Sequence, residues 1–285
     1  MEKDYILGLY EKAVPAELTW TERLQAAKDG GFDYVEISID ETDERLARLD
    51  WSTAQLRELT AAMDATGVPI RSMCLSGIRR FPYGHEDPSV REKGLEVTRK
   101  SIDFSAELGI RYVMIPGYDV YYEEANDTTR ANFPATLAKA VDYAAKQGVV
   151  LAFETMETPF MDTTEKAMKY VSMIDSPYLF VYPDLGNVTN AILEHGGSVR
   201  EDIKTGRGHT IAAHVKETVK GAYREIPYGT GTTQYAEGLE PLWEMGVRRF
   251  VAEFWYKGAE NWQEDVKFAS EFVRGKIEAA RDAVS

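Results

Sequence analysis

The chain has 285 residues, 44% of them hydrophobic, and a formal net charge of −14, an acidic balance that argues against a nucleic-acid partner because such proteins present basic surfaces. The single cysteine, Cys74, rules out an intrachain disulfide and is typical of a reducing cytoplasm. No apolar run approaches the roughly 20 residues of a membrane helix and the first residues lack a signal peptide's apolar core, so we expect a cytoplasmic protein without a membrane partner.

Eight short runs rich in β-branched or aromatic residues are spaced along the chain and bounded by turn residues. They predict strands over residues 5–10, 34–39, 69–76, 112–117, 149–156, 179–186, 211–218 and 249–256.

Helical periodicity fills most of the intervals between these runs. We predict helices over residues 18–31, 49–67, 88–109, 133–148, 163–174, 232–246 and 261–280. Several end in a glycine, which readily takes the left-handed conformation that closes a helix. Residues 188–207 contain a Gly-Gly break and predict only a short helix, and residues 118–128 predict a loop over one end of the fold.

Eight strands alternating with helices imply parallel pairing through right-handed crossovers. Eight such units close into a (β/α)8 barrel, the α/β TIM-barrel fold, and this count favours it over a doubly wound open sheet. Because no linker, low-complexity tract or charge block divides the chain, we expect one domain over residues 1–285.

Four residues that commonly bind metals occupy similar places in the last four strands. Glu154 and Asp184 lie near the ends of the fifth and sixth runs, His214 lies in the seventh, and Glu253 lies in the eighth. Each is about one βα unit from the next, so the barrel would bring all four to its C-terminal mouth, where barrel enzymes place their sites. The alternation of the seventh strand puts Lys216 on the same face as His214.

A single strand-end carboxylate usually caps a helix or faces solvent, and a lone strand histidine is usually a satisfied core group. The coincidence of four at this spacing indicates a shared site for one divalent metal ion. Three carboxylates and one imidazole suit Mn²⁺, Mg²⁺ or Co²⁺, with Zn²⁺ as a further candidate. A structural zinc site would instead favour several thiolates, and the chain has one cysteine.

The segments around these residues are AFETMETPFM, VYPDLGN, AAHVKET and VAEFWY. Together with LGLYEKAVP, FDYVEISIDETDERLARLDW and SMCLSGIRRFPYG, they resemble the L-ribulose-5-phosphate 3-epimerases, a family of xylose-isomerase-like TIM barrels. The resemblance implies an isomerase that interconverts L-ribulose 5-phosphate and L-xylulose 5-phosphate through a cis-enediolate. It implies that the four residues hold the metal and that Glu154 and Glu253 act as bases on opposite faces of the substrate.

The resemblance also suggests residues that contact the substrate. Arg224 matches an arginine that contacts substrate hydroxyls in related ketose epimerases, and Lys216 would steady developing charge. We expect Ser76, Arg79 and the glycines Gly229 and Gly231 at the phosphate end, with the glycine amides turned toward the anion.

Three positions depart from the related patterns. Asn187 and Phe160 stand where the ketohexose 3-epimerases carry a histidine and a glutamate, which disfavours a free ketohexose as substrate. We count Asn187 among the substrate-binding residues. Thr230 stands where the phosphate-sugar family led us to expect a glutamate.

Other readings remain open at this point. The same barrel and metal site suit a ketose 3-epimerase or an aldose–ketose isomerase acting on an unphosphorylated sugar, or a dehydratase. A non-catalytic sugar or metal sensor would use the same ligands without needing two opposed bases. A DNA endonuclease is disfavoured by the acidic charge and by only 4 histidines. The resemblance leads us to expect a homodimer.

Overall fold

The computed structural model describes residues 4–284 and contains one eight-stranded parallel sheet. The strands are β1 (Ile6–Tyr10), β2 (Tyr34–Ser38), β3 (Ile70–Cys74), β4 (Tyr112–Pro116), β5 (Val150–Glu154), β6 (Leu179–Tyr182), β7 (Ala213–Val215) and β8 (Arg249–Ala252). Their order is β6-β5-β4-β3-β2-β1-β8-β7. Two parallel bridges, Val181 to Thr210 and Asp184 to His214, bring β6 beside the β7 segment and nearly close the ring. The predicted (β/α)8 barrel is confirmed.

Helices connect the strands on the outside of the barrel. They are α1 (Trp20–Asp29), α2 (Asp43–Leu46), α3 (Thr53–Thr66), α4 (Pro88–Leu108), α5 (Asp127–Gln147), α6 (Thr164–Ile174), α7 (Leu185–His195), α8 (Val199–Thr205), α9 (Tyr235–Glu244) and α10 (Trp262–Ala283). Short 3-10 helices cover Glu11–Ala13, Ala47–Asp50 and Ser76–Arg79. Within residues 4–284, the search for a helix of sufficient length and apolarity to cross a membrane found none.

The helix boundaries follow local capping chemistry. Thr19 and Ser52 each accept a hydrogen bond from an amide in the first turn of α1 and α3, and a side chain in that turn bonds back to the capping amide. Gly67, Gly109 and Gly148 follow α3, α4 and α5 in the left-handed conformation, as the sequence predicted.

The short helix α2 was not predicted, and two further helical regions differ from the predictions. The Gly-Gly break at Gly196 and Gly197 separates two helices, α7 and α8, where the sequence predicted one short helix. Helix α5 begins at Asp127, six residues before the predicted start, because Asn126 caps it by accepting hydrogen bonds from the amides of Thr128 and Thr129. The predicted loop over residues 118–128 therefore ends two residues early, at Asn126.

Strand alternation divides the buried side chains into two layers. One side of each strand packs against the helices and forms the large outer core, which includes Val35 and Ile37 of β2. The other side fills the barrel interior with a smaller cluster: Tyr10, Tyr34, Cys74, Tyr112, Met114, Ala152, Tyr182, Ala212 and Val251. Ala152, Ala212 and Val251 each lie two residues before a predicted metal ligand, so the same alternation directs those ligands inward.

The interior layer also explains a glycine in β1. A Cβ at Gly8 would lie 2.5 Å from the ring of Tyr34, which lies over β1 and donates a hydrogen bond to the carbonyl oxygen of Phe250 on β8 at 3.0 Å. The tyrosine-filled interior thus forms a packed floor beneath the C-terminal mouth.

Candidate metal and substrate site

The four predicted metal ligands meet at the C-terminal mouth of the barrel, and we call them the ligand cluster. Glu154 is the last residue of β5, and Asp184 is the N-cap of α7 just after β6. His214 is the middle residue of β7, and Glu253 directly follows β8. Successive neighbours around the ring therefore each bring one potential ligand to the mouth, as the spacing in the sequence predicted.

The donor atoms of the ligand cluster have the spacing that one cation requires. One ligand atom from each residue lies within 4.8 Å of the others. The Nδ1 atom of His214 faces the carboxylates, at 3.0 Å from Glu154 Oε1, 3.5 Å from Glu253 Oε2 and 3.9 Å from Asp184 Oδ2. Ligands at about 2.0–2.4 Å from a shared ion stand at most about 4–5 Å apart, so the arrangement fits a single divalent ion.

Two buried oxygens in the ligand cluster lack a good hydrogen bond. Among the described residues, none donates one to Asp184 Oδ2 or Glu253 Oε2. Lys216 Nζ lies 3.0 Å from each of these oxygens, an ion-pair distance, but outside hydrogen-bonding geometry. Buried carboxylate oxygens are costly without partners, so these two atoms are suited to receive a metal.

The charges of the ligand cluster perturb one another strongly. Burial and the neighbouring Glu253 carboxylate raise the pKa of Glu154, and burial raises the pKa of Asp184 to about 7 despite Lys216. Burial opposes ionisation of Glu253, but Lys216 and His214 outweigh it and hold the pKa of Glu253 well below its usual range. Such perturbed groups in a cleft are typical of functional sites.

Behind His214 lies a carboxylate that our sequence analysis did not single out. Glu36 of β2 is fully buried, and its Oε1 is 2.6 Å from His214 Nε2. Its Oε2 accepts hydrogen bonds from the hydroxyls of Ser72 at 2.7 Å and Tyr182 at 3.0 Å. The signal was present in YVEIS, where the alternation of a buried strand puts a charged residue on the inward face beside Tyr34.

Asn187 is held beside the ligand cluster by the first turn of α7. Its amide donates to Asp184 Oδ1 at 2.7 Å, and its side-chain Nδ2 donates to the carbonyl oxygen of Thr155 at 2.8 Å. Its buried Oδ1 has no hydrogen-bond partner within residues 4–284. Because Asn187 lines the pocket described next, this oxygen can accept a hydrogen bond from a ligand.

A pocket opens above the ligand cluster, with about 480 Å³ of empty space when its solvent-open mouth is included. Five of the predicted substrate-binding residues line it: Ser76, Arg79, Asn187, Lys216 and Arg224. Our sequence analysis assigned no substrate contact to its other lining residues outside the ligand cluster: Tyr10, Lys12, Cys74, Met156, Glu157, Tyr223 and Trp255. Tyr10 and Trp255 share the inward alternation of β1 and β8, which was the signal available for them.

The structure places Gly229 and Gly231 around a different group, the buried carboxylate of Glu217. The amide of Gly229 donates to Glu217 Oε2 at 2.8 Å, and the amide of Thr233 donates to Oε1 at 3.1 Å. A Cβ at Gly231 would lie 2.7 Å from Glu217 Oε1. The turn therefore encloses an internal carboxylate, which already uses the Gly229 amide that we expected to meet the phosphate.

The outer end of the pocket is basic and aromatic. The Arg79 guanidinium lies 4.5 Å from the Tyr121 ring centroid, and its buried Nε has no hydrogen-bond partner in the described chain. Arg224 Nη2 lies 2.9 Å from Glu157 Oε1, and the hydroxyl of Tyr118 donates to the same carboxylate. Tyr118 and Tyr121 belong to the segment predicted to cover this end, so the segment lies at the mouth.

Comparisons with known proteins agree with the motifs. A family model described as xylose isomerase-like TIM barrel matches residues 24–272. The chain is 43% identical over 281 residues to the L-ribulose-5-phosphate 3-epimerase UlaE of Salmonella paratyphi B, with 98% of each chain covered. The predicted resemblance is therefore confirmed.

Solved structures share the architecture at lower identity. D-allulose 3-epimerase from Methylomonas sp. superposes with a TM-score of 0.77 at 18% identity, covering 95% of this chain and 98% of that one. A xylose isomerase-like TIM barrel protein from Mycobacterium smegmatis in complex with magnesium gives a TM-score of 0.74 at 15% identity, covering 100% of both chains. At these identities the likeness is one of fold.

Proposed function

The chain belongs to the L-ribulose-5-phosphate 3-epimerase family of xylose isomerase-like TIM barrels, and we propose that it acts as a single barrel domain that interconverts L-ribulose 5-phosphate and L-xylulose 5-phosphate. The observation that carries the proposal is the ligand cluster. It joins a site for one cation to two carboxylates, Glu154 and Glu253, that border the same pocket.

Epimerisation at C3 requires loss of the C3 proton from one face of the sugar and gain of a proton on the other. One glutamate takes that proton as a carboxylate, and the opposite glutamate, as a carboxylic acid, donates its own proton to C3. Glu154 ends β5 and Glu253 follows β8, and β6 and β7 lie between these two strands around the ring, a separation that supports these roles. Exchange with solvent then restores both protonation states.

The carbanion at C3 survives only when its charge is delocalised onto O2 of the ketone, and loss of the O3 hydroxyl proton to solvent completes the cis-enediolate. A divalent ion bound by the ligand cluster would supply the positive charge that polarises the ketone and stabilises these oxygens. Lys216, whose pKa is raised because the Asp184 and Glu253 carboxylates outweigh the effect of burial, keeps a further positive charge beside the pocket. The oxygen-rich donor set suits Mn²⁺, Mg²⁺, Co²⁺ or Zn²⁺.

The remaining lining residues divide between the sugar and the phosphate. Asn187, with its free Oδ1, accepts a hydrogen bond from a sugar hydroxyl, and Arg224 contacts hydroxyls near the outer end. Arg79 and Ser76 receive the phosphate, a local basic site that an acidic protein needs for an anionic substrate. Phe160 stands where the ketohexose enzymes have a glutamate, and its ring centroid lies 5.0 Å from that of Phe133 in the outer layer. Because this side chain offers the sugar no carboxylate, the phosphorylated pentulose is favoured over a free ketohexose.

Solvent-deuterium exchange tests the proposal directly. Metal-loaded protein is incubated in D2O with L-ribulose 5-phosphate, L-xylulose 5-phosphate and the corresponding free ketoses, and labelling is followed by NMR. We expect deuterium at C3 of the phosphates, none at C1, loss of exchange on chelation, and recovery with Mn²⁺. Labelling at C1 would instead identify an aldose–ketose isomerase, and no labelling of any sugar would favour a binding protein.

Two properties of the working protein complete the proposal. We place it in the cytoplasm, on the ground of its single buried cysteine, and we expect a homodimer from the family resemblance. Light scattering coupled to size exclusion measures the second property, and a mass of one chain would contradict it.

A further inference from the structure

Glu36 and His214 form a fully buried polar pair beneath the mouth of the barrel. Both side chains have no exposed surface, and the Oε1 to Nε2 distance is 2.6 Å. The other carboxylate oxygen of Glu36 accepts two hydroxyl protons, from Ser72 on β3 and Tyr182 on β6. Glu36 is therefore fixed by side chains of two other strands and can turn only one oxygen toward the imidazole.

A histidine that binds a metal must be neutral, and for a neutral His214 this geometry determines which ring nitrogen carries the single proton. An ionised carboxylate is only an acceptor, so the short contact to Glu36 needs the proton on Nε2. A neutral imidazole has one N–H, and the lone pair is then on Nδ1. Nδ1 is the atom that faces Glu154, Asp184 and Glu253, at 3.0 to 3.9 Å.

We propose that Glu36 is a positioning residue for metal binding: it holds His214 in the Nε2–H tautomer and aims the Nδ1 lone pair at the ion. It also increases the basicity of that nitrogen, because a negative charge accepts the hydrogen bond at the opposite side of the ring. The inference rests on the metal site of the proposed function and is independent of the sugar that the enzyme uses.

The position of Glu36 is hard to explain by stability alone. The cluster that fills the barrel interior around it consists of apolar and tyrosine side chains, and a carboxylate among them loses its hydration. Replacing buried charged groups by apolar residues is often neutral or stabilising. The need for one tautomer of His214 explains why a carboxylate is kept at Glu36 with an oxygen directed at the imidazole.

The test measures Zn²⁺ alone, by competition with a chromogenic chelator, so no substrate or turnover is involved. Glu36→Leu removes the acceptor, whereas Glu36→Gln keeps an acceptor oxygen and removes the charge. We expect about 10–100-fold weaker Zn²⁺ binding for Glu36→Leu and a smaller loss for Glu36→Gln. In the Zn²⁺-loaded parent, ¹⁵N-resolved NMR should show a downfield, exchange-protected Nε2–H proton of His214 that Glu36→Leu lacks.

A matched pair of tyrosine substitutions guards against general disruption of the barrel. Tyr182→Phe removes a donor to Glu36, whereas Tyr34→Phe removes a buried hydroxyl that donates to the carbonyl oxygen of Phe250. We expect weaker Zn²⁺ binding for Tyr182→Phe and an unchanged affinity for Tyr34→Phe. This pair decides the question if Glu36→Leu does not fold.

Two results would overturn the inference. The first is a folded Glu36→Leu protein whose Zn²⁺ affinity stays within about twofold of the parent, well inside the loss expected for such a partner. The second is an equal effect of the two tyrosine substitutions. In both cases the proposed function stands, since the parent still binds metal. A parent that binds no Zn²⁺ would remove the proposed metal site together with the inference.

Discussion

Two groups of buried charges lie on opposite halves of the barrel mouth and are satisfied very differently. In the early half, Glu11 follows β1, and its carboxylate contacts the guanidinium groups of Arg23, Arg45 and Arg48. It also accepts the amide of Ser38 at 2.8 Å. We call Glu11 and its three arginines the Glu11 cluster. In the late half, the ligand cluster brings three carboxylates together with one ammonium and one imidazole nearby.

The contrast separates a structural charge network from a binding site. Both oxygens of Glu11 are occupied by donors of the protein itself, so a ligand has nothing to add. In the ligand cluster, Lys216 at 3.0 Å and His214 at 3.5–3.9 Å lie at ion-pair distance from Asp184 Oδ2 and Glu253 Oε2, but no donor of good geometry within residues 4–284 reaches these oxygens. Burial of charged groups alone therefore does not identify a binding site. Buried oxygens that lack hydrogen-bond donors from the protein do.

Loss of either proposed catalytic glutamate should be the change most damaging to activity. Glu154→Gln and Glu253→Gln should each lower C3 exchange by about 10²–10⁴-fold, because a positioned acid or base contributes that much. Deuterium uptake at C3 under saturating Mn²⁺ measures the loss. Glu11→Gln is the matched control, a buried glutamate outside the pocket, and it should exchange at the parental rate. Near-parental exchange in either site variant would refute the two-base scheme.

Loss of the Glu11 carboxylate should instead lower the stability of the fold. Glu11→Gln leaves three largely buried arginines without their carboxylate, so the free energy of unfolding should fall by about 3–5 kcal/mol. Glu154→Gln should cost the metal-free protein little, because burial and Glu253 already raise the pKa of Glu154 and disfavour its charge. Urea denaturation with chelator present measures both. Equal losses in the free energy of unfolding would mean that the two clusters contribute equally to stability.

The third prediction concerns metal removal. Saturating Mn²⁺ at about 100 times its dissociation constant should add about 2.7 kcal/mol to the free energy of unfolding. Lys216→Met should then be more destabilising in chelator than with Mn²⁺, since Lys216 places a cation 3.0 Å from both Asp184 and Glu253 in the metal-free site. Glu11→Gln should lose the same stability in both conditions. If Lys216→Met lost the same stability with Mn²⁺ as with chelator, the idea that the metal ion and the Lys216 ammonium both neutralise these carboxylates would be contradicted.

The halves also differ in how far the sequence predicted them. The ligand cluster was predictable because barrel topology converts regular spacing along the chain into proximity, and each ligand lies at a strand end. Glu36 was harder to recognise, since its partner His214 lies 178 residues away. The periodicity of β2 showed an inward carboxylate but not which strand would face it.

Backbone amides were the least predictable part of the site. Gly229 and Gly231 satisfy the pattern of an anion-binding turn, yet Glu217 from the end of the β7 segment accepts the Gly229 amide. Whether an amide is free depends on neighbours brought in by folding, which composition does not reveal. The same holds for the start of α5, where the cap at Asn126 outweighed the apolar pattern that begins at Phe133.

A smaller effect, on KM, should show whether the two halves of the mouth bind different parts of the substrate. If the late half holds the reacting carbons and the early half the phosphate, Arg79→Met should raise KM for L-ribulose 5-phosphate and leave kcat nearly unchanged. Loss of one hydrogen bond to a charged group, about 1.5–3 kcal/mol, corresponds to about 10–100-fold in KM. The free ketose should be unaffected, because it has no phosphate to lose.

Arg80→Met is the neighbouring control for this measurement. Arg80 pairs with Asp43 at 2.6 Å on the surface, whereas Arg79 lines the pocket with its Nε buried. Steady-state kinetics with both substrates should show parental constants for Arg80→Met. A KM for the phosphate that is equally raised in both variants would point to general attraction of the anion by basic charge, and would leave the early half without a specific part in substrate recognition.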